Sequence, residues 1–343
     1  MVSKMLGIID ATTYKKEIED LTINRTLAAV PFAGRYRLID FVLSNMVNSD
    51  IESVAIFPKY QYRSLMDHLG SGKQWDLNRK KDGLFFFPSP HLHDQYDEFG
   101  SLRQFSDHMT YFLRSQQKYA VITNSYTVCN IDFKDVLERH LSMGCDITEV
   151  THEGKPLQMY IMSTELLISL IEGNIQKGSF QTLAEIIGEN LQGLTICQYE
   201  HRGYVAVIDS IMSYYKHSLE MINPDVWQEL FIKDRPILTK PKDEPPTKYS
   251  EDAIVKNSLI ANGCIIEGHI ENSIIFRGVR VGKGTVIKNS IVMQRTQIGE
   301  NCNLDSIVFD KDVKIFDNIQ LAGSKYSPHI LRKGTTQGVL IES

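Results

Sequence analysis

The sequence predicts an α/β domain built on a mostly parallel sheet, followed by a parallel β-helix. Three observations lead there. Short β-rich apolar runs alternate with longer amphipathic ones as far as about residue 222. Residues 223–252 hold five of the chain's eleven prolines. Beyond them, aliphatic residues recur about every six positions. The expected organisation is a first domain over 1–222, a linker over 223–252 and a β-helix over 253–343.

In chain order, strands are expected at Leu6 to Ile9, Ser53 to Phe57, Ala120 to Thr123, Asp146 to Val150, Met159 to Ser163, Leu194 to Tyr199 and Tyr204 to Ile208. Between them Leu38, Phe41, Val42 and Met46 share one helical face, as do Leu102, Phe105, Met109, Phe112 and Leu113. Such stripes are the buried sides of helices on a sheet. The segment from Asn223 onward, rich in proline and charge, reads as an extended connector. After it, Ile260, Ile265, Ile270, Ile274, Val281, Ile287, Val292, Ile298 and Leu304 mark the inward positions of stacked coils, three hexads to a coil. Gly282 and Gly299, each behind an inward aliphatic, are expected at corners needing positive φ.

The chain has 343 residues, 42% of them hydrophobic and 23% charged, with a formal charge of −5. That composition is globular, and the charge gives no global basic field to hold nucleic acid. No apolar run approaches the roughly 20 residues of a membrane span. The five cysteines stand singly with no CxxC pair, so neither a zinc site nor a disulfide framework is expected, and a reducing cytoplasm fits.

The loop behind the first strand is unusual for an α/β nucleotide enzyme. Backbone N–H groups close on a phosphate only where no side chain intervenes. Here Asp10, Thr12, Thr13, Tyr14, Lys15, Lys16 and Glu17 follow Gly7 with no further glycine.

"TLAAVPFAGRYRLIDFVLSNMVNSDI" (residues 26–51) resembles the segment that marks the ADP-glucose pyrophosphorylases. "YQYRSLMDHLGSG", "GSLRQF", "NIDF" and "GYVAVIDSIMSYY" follow in that family's order. The resemblance implies a Rossmann-like, GT-A-like nucleotidyltransferase domain with a left-handed hexapeptide β-helix, and an association with making ADP-glucose from ATP and glucose 1-phosphate for glycogen. Against the family's L-A-G-G-x-G-T-R-L loop, Thr12 and Thr13 stand at the paired glycines, Lys15 at the third and Glu17 at the arginine. Leu27 replaces a lysine and Arg103 an aspartate. The two aspartates expected to hold Mg²⁺ fall on Tyr126 and Val207, with Asp132 and Asp209 nearby in sequence. "HEGKP" offers Lys155 where a sugar-phosphate lysine is sought.

These departures resemble the non-catalytic GlgD-type subunits of the family. The implied role is a regulatory subunit with no catalytic or metal site of its own. It would join a catalytic GlgC-type partner, which supplies Mg²⁺, in a heterotetramer whose contacts include exposed helix surface near 37–49 and 101–118. Arg25, Arg35, Arg37, Arg63 and His68 are the candidate pocket for a sugar-phosphate or nucleotide effector, with a solvated basic face as the other reading. Three alternatives stay open: an active nucleotidyltransferase with a reorganised site, a stand-alone sugar-phosphate sensor, and an acyltransferase, for which His269 is the one histidine clearly among the coils.

Overall fold

The computed structural model describes residues 4–89, 99–178, 181–189 and 193–338. A seven-stranded sheet runs, edge to edge, Ile196–Glu200, Ile147–His152, Lys155–Ser163, Tyr119–Asn124, Met5–Ala11, Ser53–Pro58 and Gly83–Phe86. Lys155–Ser163 is antiparallel to both neighbours and every other pairing is parallel. All seven residues of Met5–Ala11 are buried, as a central strand covered on both faces requires. Gly7 lets the Leu38–Asn48 helix approach it, since a Cβ there would stand 2.7 Å from Met46 Sδ. The expected Tyr204–Ile208 strand lies elsewhere: Val205–Val207 pairs antiparallel with Thr127–Cys129 in a small separate sheet.

The two expected helical faces differ. Leu38 to Met46 are all buried, so this helix is core and offers no exposed surface to a partner. The second face breaks into Leu102–Ser106 and Met109–Arg114, and Leu113 is 60% exposed instead of buried.

The connector is not wholly extended. Pro224–Leu230 is a helix whose N-cap, Asn223, accepts a hydrogen bond from Asp225 N, with proline at the first turn. Asn-Pro-Asp is a helix-start signal that proline content alone obscures. The first coil strand, Lys248–Tyr249, also begins inside the expected linker.

The C-terminal part is a left-handed β-helix of three parallel sheets with six, five and five strands. Its register stacks Ile270, Ile287, Leu304 and Leu321 in one column and Val281, Ile298 and Ile315 in another. Corners are satisfied by ladders one coil apart: Ser273 N donates to Ser258 Oγ at 3.0 Å, Ser290 N to Ser273 Oγ at 3.0 Å, and Ile307 N to Ser290 Oγ at 3.1 Å. Positive φ falls on Asn257, Asn272 and Asn289, not on Gly282 or Gly299. Gly282 is required because a Cβ would lie 2.5 Å from the Gly299 oxygen of the next coil.

One apolar cluster joins the two parts: Phe32, Phe41 and Tyr214 pack with Ile274, Phe276, Ile291 and Val308 of the coils. Tyr215 donates across the same seam to Asn289 O at 2.5 Å. A disulfide joins Cys145 to Cys197, with Cα atoms 6.0 Å apart, against the expectation of five unpaired cysteines. Their sequence separation of 52 conceals that they sit at neighbouring parallel strands. Among the described residues no helix is long and apolar enough to cross a membrane.

Candidate functional site

In a parallel sheet, chemistry gathers outside the carboxyl ends of the strands. At the end of the first strand the buried Asp10 carboxylate fills the turn. Its Oδ1 accepts from Thr12 N at 2.9 Å and from the Thr12 hydroxyl at 2.5 Å, and its Oδ2 accepts from Gly100 N at 2.7 Å. Thr12 N is an N–H group of the kind that a phosphate-binding loop would aim at a ligand, turned instead onto an internal anion. The cavity beneath, lined by Thr12, Thr13, Lys15, Arg25 and Thr26, has a volume of about 30 Å³. That is room for about one water.

Beside it opens a larger cavity of about 490 Å³ at the ends of the 119–124, 147–152 and 155–163 strands. Tyr126 and Val207 line it, so the positions that the resemblance gives to magnesium carboxylates carry a phenol and an isopropyl group. The Tyr126 hydroxyl donates to Gln158 Oε1 at 2.6 Å, and burial, then the Asp10 and Asp209 carboxylates, push its pKa up. Asp209 is exposed and lines the same cavity. Asp132 is engaged elsewhere, capping the Phe133–Met143 helix through Lys134 N at 2.9 Å. Lys155 stands exposed in the tight hairpin after His152, whose Glu153 and Gly154 both have positive φ.

The five candidate effector residues do not form one pocket. Arg25 is buried, its Nη2 2.8 Å from Asp310 Oδ1 across the seam between sheet domain and β-helix. Arg37 donates from Nη1 to Ser64 O at 2.6 Å, while its backbone N donates to Asp40 Oδ2 at 2.9 Å. His68 Nε2 lies 2.6 Å from Asp40 Oδ1. Burial lowers the His68 pKa and pulls the Arg37 guanidinium down to about 10, with Arg25 and Arg277 adding like-charge repulsion. Arg35 is exposed, 5.7 Å from the Tyr36 ring centroid, in a separate cleft of about 280 Å³ with Lys240, Lys242, Trp227 and Arg277. Arg63 is the exposed first residue of the Arg63–Leu69 helix.

Sequence reasoning missed Lys311. Burial pushes its amine down to about 7, and Arg37 and Arg25 reinforce the shift against the opposing pull of Asp310. Asp310-Lys311 closes a coil like any other turn, and only the fold brings it to Arg25. The result is a cationic cluster, Arg25, Arg37 and Lys311, on the seam; an anion there would relieve the repulsion.

Residues 16–158 match the family model described as Nucleotidyl transferase, and residues 245–337 the one described as GlmU-like, C-terminal hexapeptide. Over 341 residues the chain is 62% identical to the Glycogen biosynthesis protein GlgD of Bacillus subtilis (strain 168), with 99% of each chain covered. Over 342 residues it is 58% identical to the protein of the same name from Geobacillus stearothermophilus, again with 99% of each covered. A more distant likeness, 28% over 362 residues and covering 92% of this chain and 84% of the relative, is to the Glucose-1-phosphate adenylyltransferase of Acetivibrio thermocellus.

Proposed function

The chain belongs to the GlgD family of glycogen biosynthesis proteins, and from that premise we propose that it is a regulatory subunit, inactive by itself, of a cytoplasmic glucose-1-phosphate adenylyltransferase. The observation that carries this reading is the Asp10 carboxylate seated on the loop's Thr12 N and on Gly100 N. A triphosphate brought there would meet a buried negative charge in a cavity of about 30 Å³. The residues at the magnesium positions do not fit the ion: Mg²⁺ takes oxygen ligands, with one or two carboxylates, and a valine offers no side-chain oxygen. No step of the reaction is assigned to this chain, and the metal belongs to the catalytic partner.

A chain without chemistry acts on a reaction by binding one state of a catalytic chain better than another. The partner is a GlgC-type homologue in a heterotetramer. The Arg25–Asp310 pair ties the two domains together at the cationic cluster, so a phosphate-bearing effector held by Arg37 and Lys311 would alter how they sit at a subunit interface. Lys311 gains its charge as pH falls through about 7, so effector affinity rises as pH drops through that range.

Co-expression with the catalytic homologue tests the reading. Expected are one co-eluting species and a changed kcat or KM, with a coupling of about 1–3 kcal/mol. Separate elution with unchanged partner kinetics rejects it in favour of a stand-alone sensor.

A further inference from the structure

A cavity of about 520 Å³ lies at the other end of the sheet from the site described above. Lys4, Ser53 and Asp82 line it, and they stand at the amino ends of the parallel strands Met5–Ala11, Ser53–Pro58 and Gly83–Phe86. Asp10 is near the carboxyl end of the first of these strands. The volume is that of a small-molecule site.

Three rings form the floor. Centroid to centroid, Tyr111 is 5.2 Å from Phe85 and 4.8 Å from Phe87, and Phe85 and Phe87 are parallel to within 5° at 6.3 Å. The Tyr111 hydroxyl pairs with the Oγ of the buried Ser53 at 3.2 Å, which holds its ring in place. All three rings keep part of their surface exposed, whereas Phe57, Phe105 and Phe112 behind them are fully buried.

Charge selects the ligand. Lys4, Lys81 and Arg114 line the cavity with Asp82. Asp82 Oδ1 accepts from the buried Gln117 Nε2 at 2.9 Å, and Lys4 is spent on Glu52, 3.1 Å away. Lys81 donates to the neutral Gln116 Oε1 at 3.4 Å, and Arg114 is exposed, so both keep their charge for an anion. A planar ring would pack on the aromatic floor while an acidic group on it met these two cations. A neutral ring leaves the cations unused, and an aliphatic acid offers the ring faces no planar counterpart.

We infer that this cavity binds a planar aromatic anion, a ring that carries a carboxylate or phosphate group. The inference goes beyond the reading above and is independent of it, since it asks nothing of the strand-end site or of a catalytic partner.

Calorimetric titration of the full chain with indole-3-acetate, AMP and octanoate tests it. At least one aromatic anion should bind, about tenfold or more tighter than octanoate. The double variant Lys81→Gln/Arg114→Gln should weaken that binding about tenfold at an unchanged melting temperature, both side chains being exposed. Phe85→Leu, which keeps the floor apolar and removes a ring face, should weaken it as well. The ligand that loses affinity in the double variant identifies the source, an aromatic acid or a nucleotide. The proposal is overturned if neither aromatic anion binds, if octanoate binds as tightly as both, or if the double variant binds each ligand as the parent does. AMP held at the seam cluster instead would give the last of these results.

Discussion

The β-helix and the strand ends of the sheet domain follow opposite rules. In the coils, each residue's task is set by its counterpart one coil away: aliphatics stack on aliphatics, and serine and asparagine corners hydrogen-bond in ladders. At the strand ends, a buried carboxylate caps its own loop, a glutamine adopts a glycine-like φ, and a threonine hydroxyl is buried without a partner among the described residues. Local order and global fold agree in the first region and conflict in the second. Such conflicts are expected where function, past or present, has shaped the chain.

Substitutions can break this contrast. The largest effect belongs in the column. Ile287, fully buried between Ile270 and Leu304, becomes an unpaired buried charge in Ile287→Asp, at a cost of several kcal/mol. The domain should unfold or misassemble, and wild-type melting would mean that the position does not face inward.

Next is the seam. Arg25→Met strands the buried Asp310 carboxylate, which should cost about 3–5 kcal/mol in urea unfolding. The double variant Arg25→Met/Asp310→Leu should recover much of that loss. If it recovers nothing, the pair does more than balance charge.

A pH effect of about 3 kcal/mol is expected from His201. Burial lowers its pKa to about 4 from the usual 6.5, with His152 and Arg235 repelling its charged form. Between those values the unfolded chain binds a proton that the native chain refuses. Stability therefore falls as pH drops from 6.5 toward 4, and His201→Gln should flatten that slope in melts across the range.

Gly282→Ala sharpens the contrast at about 1–3 kcal/mol, because its Cβ would press on the next coil's backbone. Lys155→Ala, in an exposed hairpin, should change stability by about 0.5 kcal/mol or less.

What could be read in the sequence follows the same division. Most of the column was legible because period and burial are one signal, but Ile265 and Ile274, expected inward, give that place to Ile266 and Ile275, Ile274 facing the sheet domain instead, and the glycines were assigned to φ when their real constraint is the neighbouring coil. The sheet strands were legible wherever they are buried on both faces. The half-buried edge strand Gly83–Phe86 and the short Thr127–Cys129 were not, having too few residues for a pattern. At the site, the missing glycines were plain, but the role of Asp10 was not, since its partner Gly100 lies 90 positions away. Arg25 and Arg37 were found as basic residues near the second strand, whereas Lys311 became their neighbour only through the seam. The Cys145–Cys197 bridge was hidden in the same way.

The central claim is that a carboxylate has taken the place of the triphosphate. The measurement that tests it most directly is ADP-glucose formation by the purified chain alone, supplied with ATP, glucose 1-phosphate and Mg²⁺. The account predicts no product above background, for the parent and for Val207→Asp or Tyr126→Asp, because either change restores one ligand and leaves Asp10 on the loop. Turnover on the order of 1 per second by the parent, or its recovery from a single restored aspartate, would contradict it.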